Sequence, residues 1–198
     1  MNREFSRIYI FTPRLICLKH LRYYYTTVGF NSPCGVNVMK TKLIALKLFL
    51  EELGVPSDID TVDERKRVQK TIYLGQIAGV DLGYHFAWYL KGPYSPELTK
   101  DYYDLDEALT EGDHEFQKKD LKGQLKEKLQ SIKTIINQPC DIQLSQADWL
   151  ELLASVHYQY DKFDQASAKA NITREKPTLA PYIQRAEEAL RNSHLLNN

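Results

Sequence analysis

Residues 88–98 read WYLKGPYSPEL, an aromatic run that ends in Gly-Pro-Tyr-Ser-Pro and passes at once into a helix-forming pattern. Each residue of that junction has a backbone reason to be there. Gly92 supplies whatever φ the exit from a strand needs, Pro93 sets the next φ, Ser95 is a good N-cap, and Pro96 occupies the first helical position, where its missing N–H costs nothing. The stretch therefore predicts a strand-to-helix corner. Upstream, residues 84–90 (YHFAWYL) alternate imperfectly and are rich in aromatics, so a strand is expected there, as half of a small hairpin. Downstream, Leu98, Tyr102, Leu105 and Leu109 recur at helical spacing and stop near Gly112.

The rest of the chain reads as a succession of helices. Residues 41–56 (TKLIALKLFLEELGVP) are apolar on most faces, which implies a buried helix, and Gly54, Val55 and Pro56 stop it with Val55 placed to meet Leu50. The next pattern, residues 61–79, carries acids in its first turn and turns Val68, Ile72 and Ile77 to a common side. Gly79 and Gly83 then bracket a short turn. Leu121, Leu125, Leu129, Ile132 and Ile136 form one stripe under a lysine-studded outer face, closed by Asn137 and Pro139. Ser145 is expected to cap a helix whose core face is Trp149, Leu152, Leu153, Val156 and Tyr160, with a Leu144–Trp149 staple. A short piece at 164–170 leads to a last apolar face of Leu179, Ile183, Ala186 and Leu190. The expected architecture is mainly α, about seven helices with a minor β strand or hairpin, in one winged-helix-like domain spanning residues 39–198.

Size and composition agree with that frame. A chain of 198 residues, 43% apolar and 26% charged, can bury one proper core. Lysine and arginine number 26 and so do the acids, so no global charge drives the protein toward nucleic acid or an anionic membrane. Cys17, Cys34 and Cys140 show no CxxC spacing, which indicates neither a disulfide framework nor a zinc knuckle and fits a reducing cytoplasm. No apolar run approaches the roughly 20 residues that span a bilayer.

Residues 1–38 are a different population. They hold Arg3, Arg7, Arg14, Lys19 and Arg22 against Glu4 alone, a charge of +4, which leaves 21 basic and 25 acidic residues, or −4, for the remainder. The segment has no sustained period. It reads as a disordered basic leader, as a mitochondrial targeting peptide, as a signal peptide whose only apolar stretch is broken by Arg14 and Lys19, or as sequence upstream of a true start at Met39. The last is the expectation, because the clean helical pattern begins right after Met39.

No catalytic signature accompanies these elements. HExxH, GxSxG, GxGxxG and the P-loop pattern are missing, and the five histidines are scattered without metal-ligand spacing, so neither a catalytic residue, a metal nor a cofactor is expected. His85 and His157 read as hydrogen-bonded core or boundary residues. One constellation stands apart: Lys70, Tyr73 and Gln76 follow at i+3 steps and fall within a 120° arc of their helix. Either they serve one surface together, or Tyr73 is core, Gln76 bonds nearby backbone and Lys70 is solvated.

With these residues in hand, a resemblance can be stated. The helix 66–79 (KRVQKTIYLGQIAG), the aromatic strand and KGPYSPEL are similar to the YwgA-like bacterial proteins, which share a Lys-x-x-Tyr helix followed by Gly-Pro-Tyr-Ser and a downstream Leu. The same pattern resembles the toxin-binding C-terminal domain of macrodomain antitoxins that neutralise DNA ADP-ribosyltransferase toxins. More remotely, the "QK-x-x-Y" helix and Gly-Pro corner resemble the SocA-like Panacea antitoxin domain. The matching positions are Lys70, Tyr73, Gln76, Gly92, Pro93, Tyr94, Ser95 and Leu98, and the 198 residues depart from the antitoxin arrangement in showing no macrodomain pattern beside them. The resemblance implies a non-enzymatic, antitoxin-like or phage-defence module that binds a protein partner.

The partner's chemistry is read from the helix after the corner, where Glu97, Asp101, Asp104, Asp106, Glu107, Glu111, Asp113 and Glu115 face Lys100 alone. That acidic surface, with Asp101 and Asp104 beside Tyr94, Lys70 and Gln76, is expected to bind a basic protein such as a toxin. The alternative is a winged-helix-like DNA-binding regulator in which Lys118, Lys119, Lys122, Lys126 and Lys128 meet phosphate.

Overall fold

The computed structural model describes residues 10, 11 and 39–196. The rest of the segment before Met39, with the expectations placed on it, lies outside the described residues. Among those described, seven α-helices and one small antiparallel hairpin carry the architecture. The protein is mainly helical with a minor β element, as the sequence predicts.

Helix α1 (Thr41–Leu53) buries Leu43, Ile44, Leu46, Phe49 and Leu50, and ends where Gly54 turns left-handed at φ 68° and the Val55 N–H reaches the Leu50 carbonyl at 2.9 Å. Helix α2 (Val62–Ile77) starts from a capping box: the Glu64 N–H donates to Thr61 Oγ1 and the Thr61 N–H to Glu64 Oε2. The two helices meet at a glycine. A Cβ placed on Gly75 would lie 1.9 Å from the Phe49 ring, so this helix pair packs only because position 75 has no side chain.

Strands β2 (Ala87–Tyr89) and β3 (Gly92–Tyr94) form the hairpin, with Ala87 opposite Tyr94 and Tyr89 opposite Gly92. The strand is shorter than the expected 84–90, and the reason is local. Tyr84 cannot enter a ladder because the Gln76 side chain already donates to its carbonyl (3.0 Å) and accepts from its N–H (3.1 Å). Helix α3 (Pro96–Thr110) follows, capped by Ser95 and opened by Pro96, and it buries Leu98, Tyr102 and Leu105.

After a 3₁₀ turn, the two-residue strand β4 (Asp120–Leu121) pairs antiparallel with β1 (Ile10–Phe11). Helix α4 therefore runs Gly123–Ile136 and the expected stripe loses its first member, because Asp120 and Leu121 are spent on that pairing. Helix α5 (Gln146–Lys162) is the axis of the molecule: Trp149, Leu150, Leu152, Leu153, Ala154 and Val156 lose all solvent contact, and it packs on α2, on β3 and on the C-terminal helices α6 (Gln165–Glu175) and α7 (Ile183–Asn192). Each such Leu or Val contributes roughly 1.5–3 kcal/mol by burial. Asp164 caps α6 through the Ser167 N–H, which makes it an eleven-residue helix instead of a short piece.

Candidate functional site

Helix α2 is buried around most of its circumference, and its Gln69 and Lys70 side chains are turned onto the corner. The Gln69 amide accepts from the Ser95 N–H (3.0 Å) and donates to the Ser95 carbonyl (2.9 Å) and to Thr99 Oγ1 (2.9 Å), replacing the strand partner that Ser95 lacks. The Lys70 ammonium donates to the Pro93 carbonyl at 2.5 Å. Ser95 Oγ in turn accepts from the Leu98 N–H, which caps α3. Gly92 sits at φ 81°, and a Cβ there would lie 2.5 Å from Ser155 Oγ on α5, so both the backbone angle and the close approach require glycine.

The residues singled out by sequence as a partner-binding set, Lys70, Tyr73, Gln76, Gly92, Pro93, Tyr94, Ser95, Asp101 and Asp104, do not form one surface. Lys70, Gly92, Pro93, Tyr94 and Ser95 come together at the corner. Tyr73 leaves them, hydrogen-bonding His157 Nδ1 at 2.8 Å and meeting the Phe86 ring edge-on at 5.2 Å; burial raises its phenol above the ordinary range and lowers the His157 imidazole. Gln76 is committed to the Tyr84 backbone. Asp101 accepts from the Tyr84 hydroxyl (2.8 Å) and pairs with Lys42 (2.9 Å), while Asp104 stands 3.8 Å from Lys40, so both acids turn toward the start of α1 and away from the corner.

A buried ionic chain underlies the corner, and sequence reasoning missed it. Lys176, which follows α6, donates to Glu151 Oε1 (2.6 Å) and to the Leu90 carbonyl in the hairpin turn (3.2 Å). Lys66 reaches the other oxygen of Glu151 at 3.2 Å and Asp148 at 2.6 Å, with Asp63 at 3.4 Å. Burial opposes the Lys66 charge, yet Asp148 and Glu151 outweigh it and hold its pKa above the ordinary value. Among the described residues Lys70 has no such partner. It is only 2% exposed; desolvation dominates, the attraction of Glu151 is countered by Lys176 and Lys66, and its pKa falls to about 7.

Above this chain lies a cavity of about 300 Å³ between α2, the hairpin and α3. Tyr89 and Tyr94 of the hairpin and Tyr102 and Tyr103 of α3 line it, together with Arg65, Lys66 and Lys70 of α2 and Lys91 of the hairpin turn. Five large apolar side chains are exposed among the described residues; three of them line the cavity, Val62 (62%), Tyr89 (58%) and Tyr103 (49%), and a fourth, Leu90 (79%), sits in the hairpin turn between the lining residues Tyr89 and Lys91. Only Phe163 lies elsewhere. An exposed aromatic and aliphatic rim around a tyrosine-lined hollow is the kind of surface that other molecules cover.

The lysines of the alternative reading are dispersed. Lys126 pairs with Asp120 at 2.7 Å, Lys119 with Glu115 at 3.8 Å, Lys128 donates to the Gly79 carbonyl at 3.1 Å, Lys122 is engaged as well, and Lys118 is exposed. Among the described residues no group of three or more His, Cys, Asp and Glu could hold a metal, and no helix is long and apolar enough to cross a membrane. Comparison with family models, with curated proteins and with solved structures returns no match.

Proposed function

We propose that the chain is a non-enzymatic protein-interaction module that engages a protein partner through the surface formed by α2, the hairpin and the start of α3. The observation that carries this reading is the exposed apolar surface of Val62, Tyr89 and Tyr103 on the tyrosine-lined cavity, continued by exposed Leu90 in the adjoining hairpin turn. Aromatic residues and arginine at the centre of a desolvated patch are the usual seat of binding energy between proteins. The buried braces beneath it, Gln69 on Ser95 and Lys176 on Leu90, hold the hairpin in place before any partner arrives, which lowers the entropic cost of association.

The motif resemblance to antitoxin domains supports a partner of the toxin or defence kind. The acids of α3 that carry the basic-partner expectation are fewer than the sequence suggests, since Asp101 and Asp104 pair with Lys42 and Lys40. Glu97, Asp106, Glu107 and Glu111 stay exposed and fit a basic partner along that helix. The DNA-regulator reading is not favoured, because most of its lysines already serve carboxylates or carbonyls within the fold.

The test is co-purification from the native host followed by hydrogen exchange with and without the captured protein. Protection is expected at residues 87–94 and 96–103. Protection confined to α4, with its lysines, would overturn the proposal.

A further inference from the structure

We infer that the cavity is the receptor for an aromatic residue flanked by acids in an extended segment of the protein partner. This inference rests on the interaction reading above and adds the chemistry of the anchor. The walls argue for an aromatic. Four tyrosines surround the hollow, and rings stack or meet edge-to-face with rings at a gain beyond area burial alone.

The floor and mouth argue for acids beside that ring. Arg65 donates to the carbonyls of Ile59 (2.6 Å) and Asp60 (2.8 Å), which orient the guanidinium without neutralising it. Lys91 projects from the hairpin turn, is exposed, and lies near enough to Asp148 to lower that carboxyl's pKa but makes no ion pair of its own among the described residues. Lys70 at the base donates to a carbonyl and to no carboxylate. Among the described residues, Lys66 alone of the four basic side chains on the wall has its charge matched, by Asp63, Asp148 and Glu151. Arg65 and Lys91 are thus the two cations left for the occupant to meet, and both can in addition lie against an aromatic face.

A protein segment fits better than a small molecule or a nucleic acid strand. The apolar rim at Val62 and Leu90 extends past the cavity, so its occupant continues outside. Asp63, Glu97 and Asp106 are exposed on the flanking helices α2 and α3, and a phosphate chain leaving the hollow would run against them. A peptide can stop being acidic after one residue; a nucleic acid cannot.

The experiment uses the full chain and capped peptides of sequence Asp-Trp-Asp, Asn-Trp-Asn and Lys-Trp-Lys, with a hexathymidylate as a fourth probe, each titrated at low and high salt while tyrosine ring resonances are followed by NMR. The acidic peptide is expected to bind at least tenfold more tightly than the neutral one at low salt and to lose that margin as salt rises. Lys91→Gln, a change at an exposed position, is expected to cut the margin severalfold, and Arg65→Gln to cut it again. Equal or tighter binding of the basic peptide or of the oligonucleotide, or no tyrosine shift with any probe, would overturn the inference. If the basic peptide wins while hydrogen exchange still places the native partner on the hairpin, the interaction module stands and the acidic anchor falls.

Discussion

Replacing Lys70 by methionine should stabilise the protein near neutral pH and cease to do so in base. The amine is held at about 7 against the 10.5 ordinary for lysine. At roughly 1.4 kcal/mol per pH unit, the buried charge opposes folding by about 4 kcal/mol at pH 7. Methionine keeps the length and much of the apolar stem but strands the Pro93 carbonyl, a loss of about 1–3 kcal/mol. The net expectation at pH 6.5 is a gain of about 1–3 kcal/mol. Between pH 7 and 10.5 the unfolded chain keeps the lysine proton while the folded chain sheds it, so wild-type stability rises with pH across that window. By pH 10 under about 1 kcal/mol of the penalty is left, and the lost hydrogen bond makes the variant equal or inferior. Urea denaturation of both proteins at pH 6.5 and pH 10 reads the difference directly, because other titrating groups are common to both. A variant less stable at pH 6.5, or a difference that does not change with pH, would show that Lys70 is not a buried uncompensated amine.

Three further outcomes follow from the packing. Gly92→Ala should cost at least about 2 kcal/mol from strain and overlap together, and adding Ser155→Ala should recover part of it by removing the oxygen 2.5 Å from the new Cβ; thermal melts of the single and double variants check this. Gly75→Ala, a change that by helix propensity alone gains about 1 kcal/mol, should instead destabilise, since the Phe49 ring fully buried beside it has no room to move. Ser95→Ala removes the α3 cap at a fully buried position and should cost about 1–2 kcal/mol in chemical denaturation.

The corner was legible because its causes are local. Gly92, Pro93, Ser95 and Pro96 each act through their own backbone angle or cap, and the structure shows Gly92 left-handed, Ser95 capping and Pro96 at the first helical position. The Leu125, Leu129, Ile132 and Ile136 stripe was legible for the same reason, since helical period is a neighbour property. What escaped was long-range. Lys176 and Leu90 are 86 residues apart, Lys66 and Asp148 are 82, and a lysine among charged neighbours in sequence looks solvated until the fold buries it. Gln69 had a signal in the Gln-Lys pair at the start of the motif, but its task, clasping both backbone groups of Ser95, needs the corner and α2 to be side by side. Tyr103 lies off the apolar stripe of α3, and only the fold, which brings the hairpin's Tyr89 and Tyr94 to the same hollow, gives it a cavity to line.

The central claim is that the rim around the tyrosine-lined cavity is where a protein partner binds. The most direct measurement is the affinity of the co-purified native partner for wild type, for Leu90→Ser with Tyr103→Ser, and for Phe163→Ser, by calorimetry. Leu90, Tyr103 and Phe163 are all exposed, at 79%, 49% and 50%, so none of the substitutions threatens the core. The account predicts at least a hundredfold loss for the rim variant, about 2.7 kcal/mol, and an unchanged affinity for Phe163→Ser; equal affinities for the rim variant and wild type would contradict it.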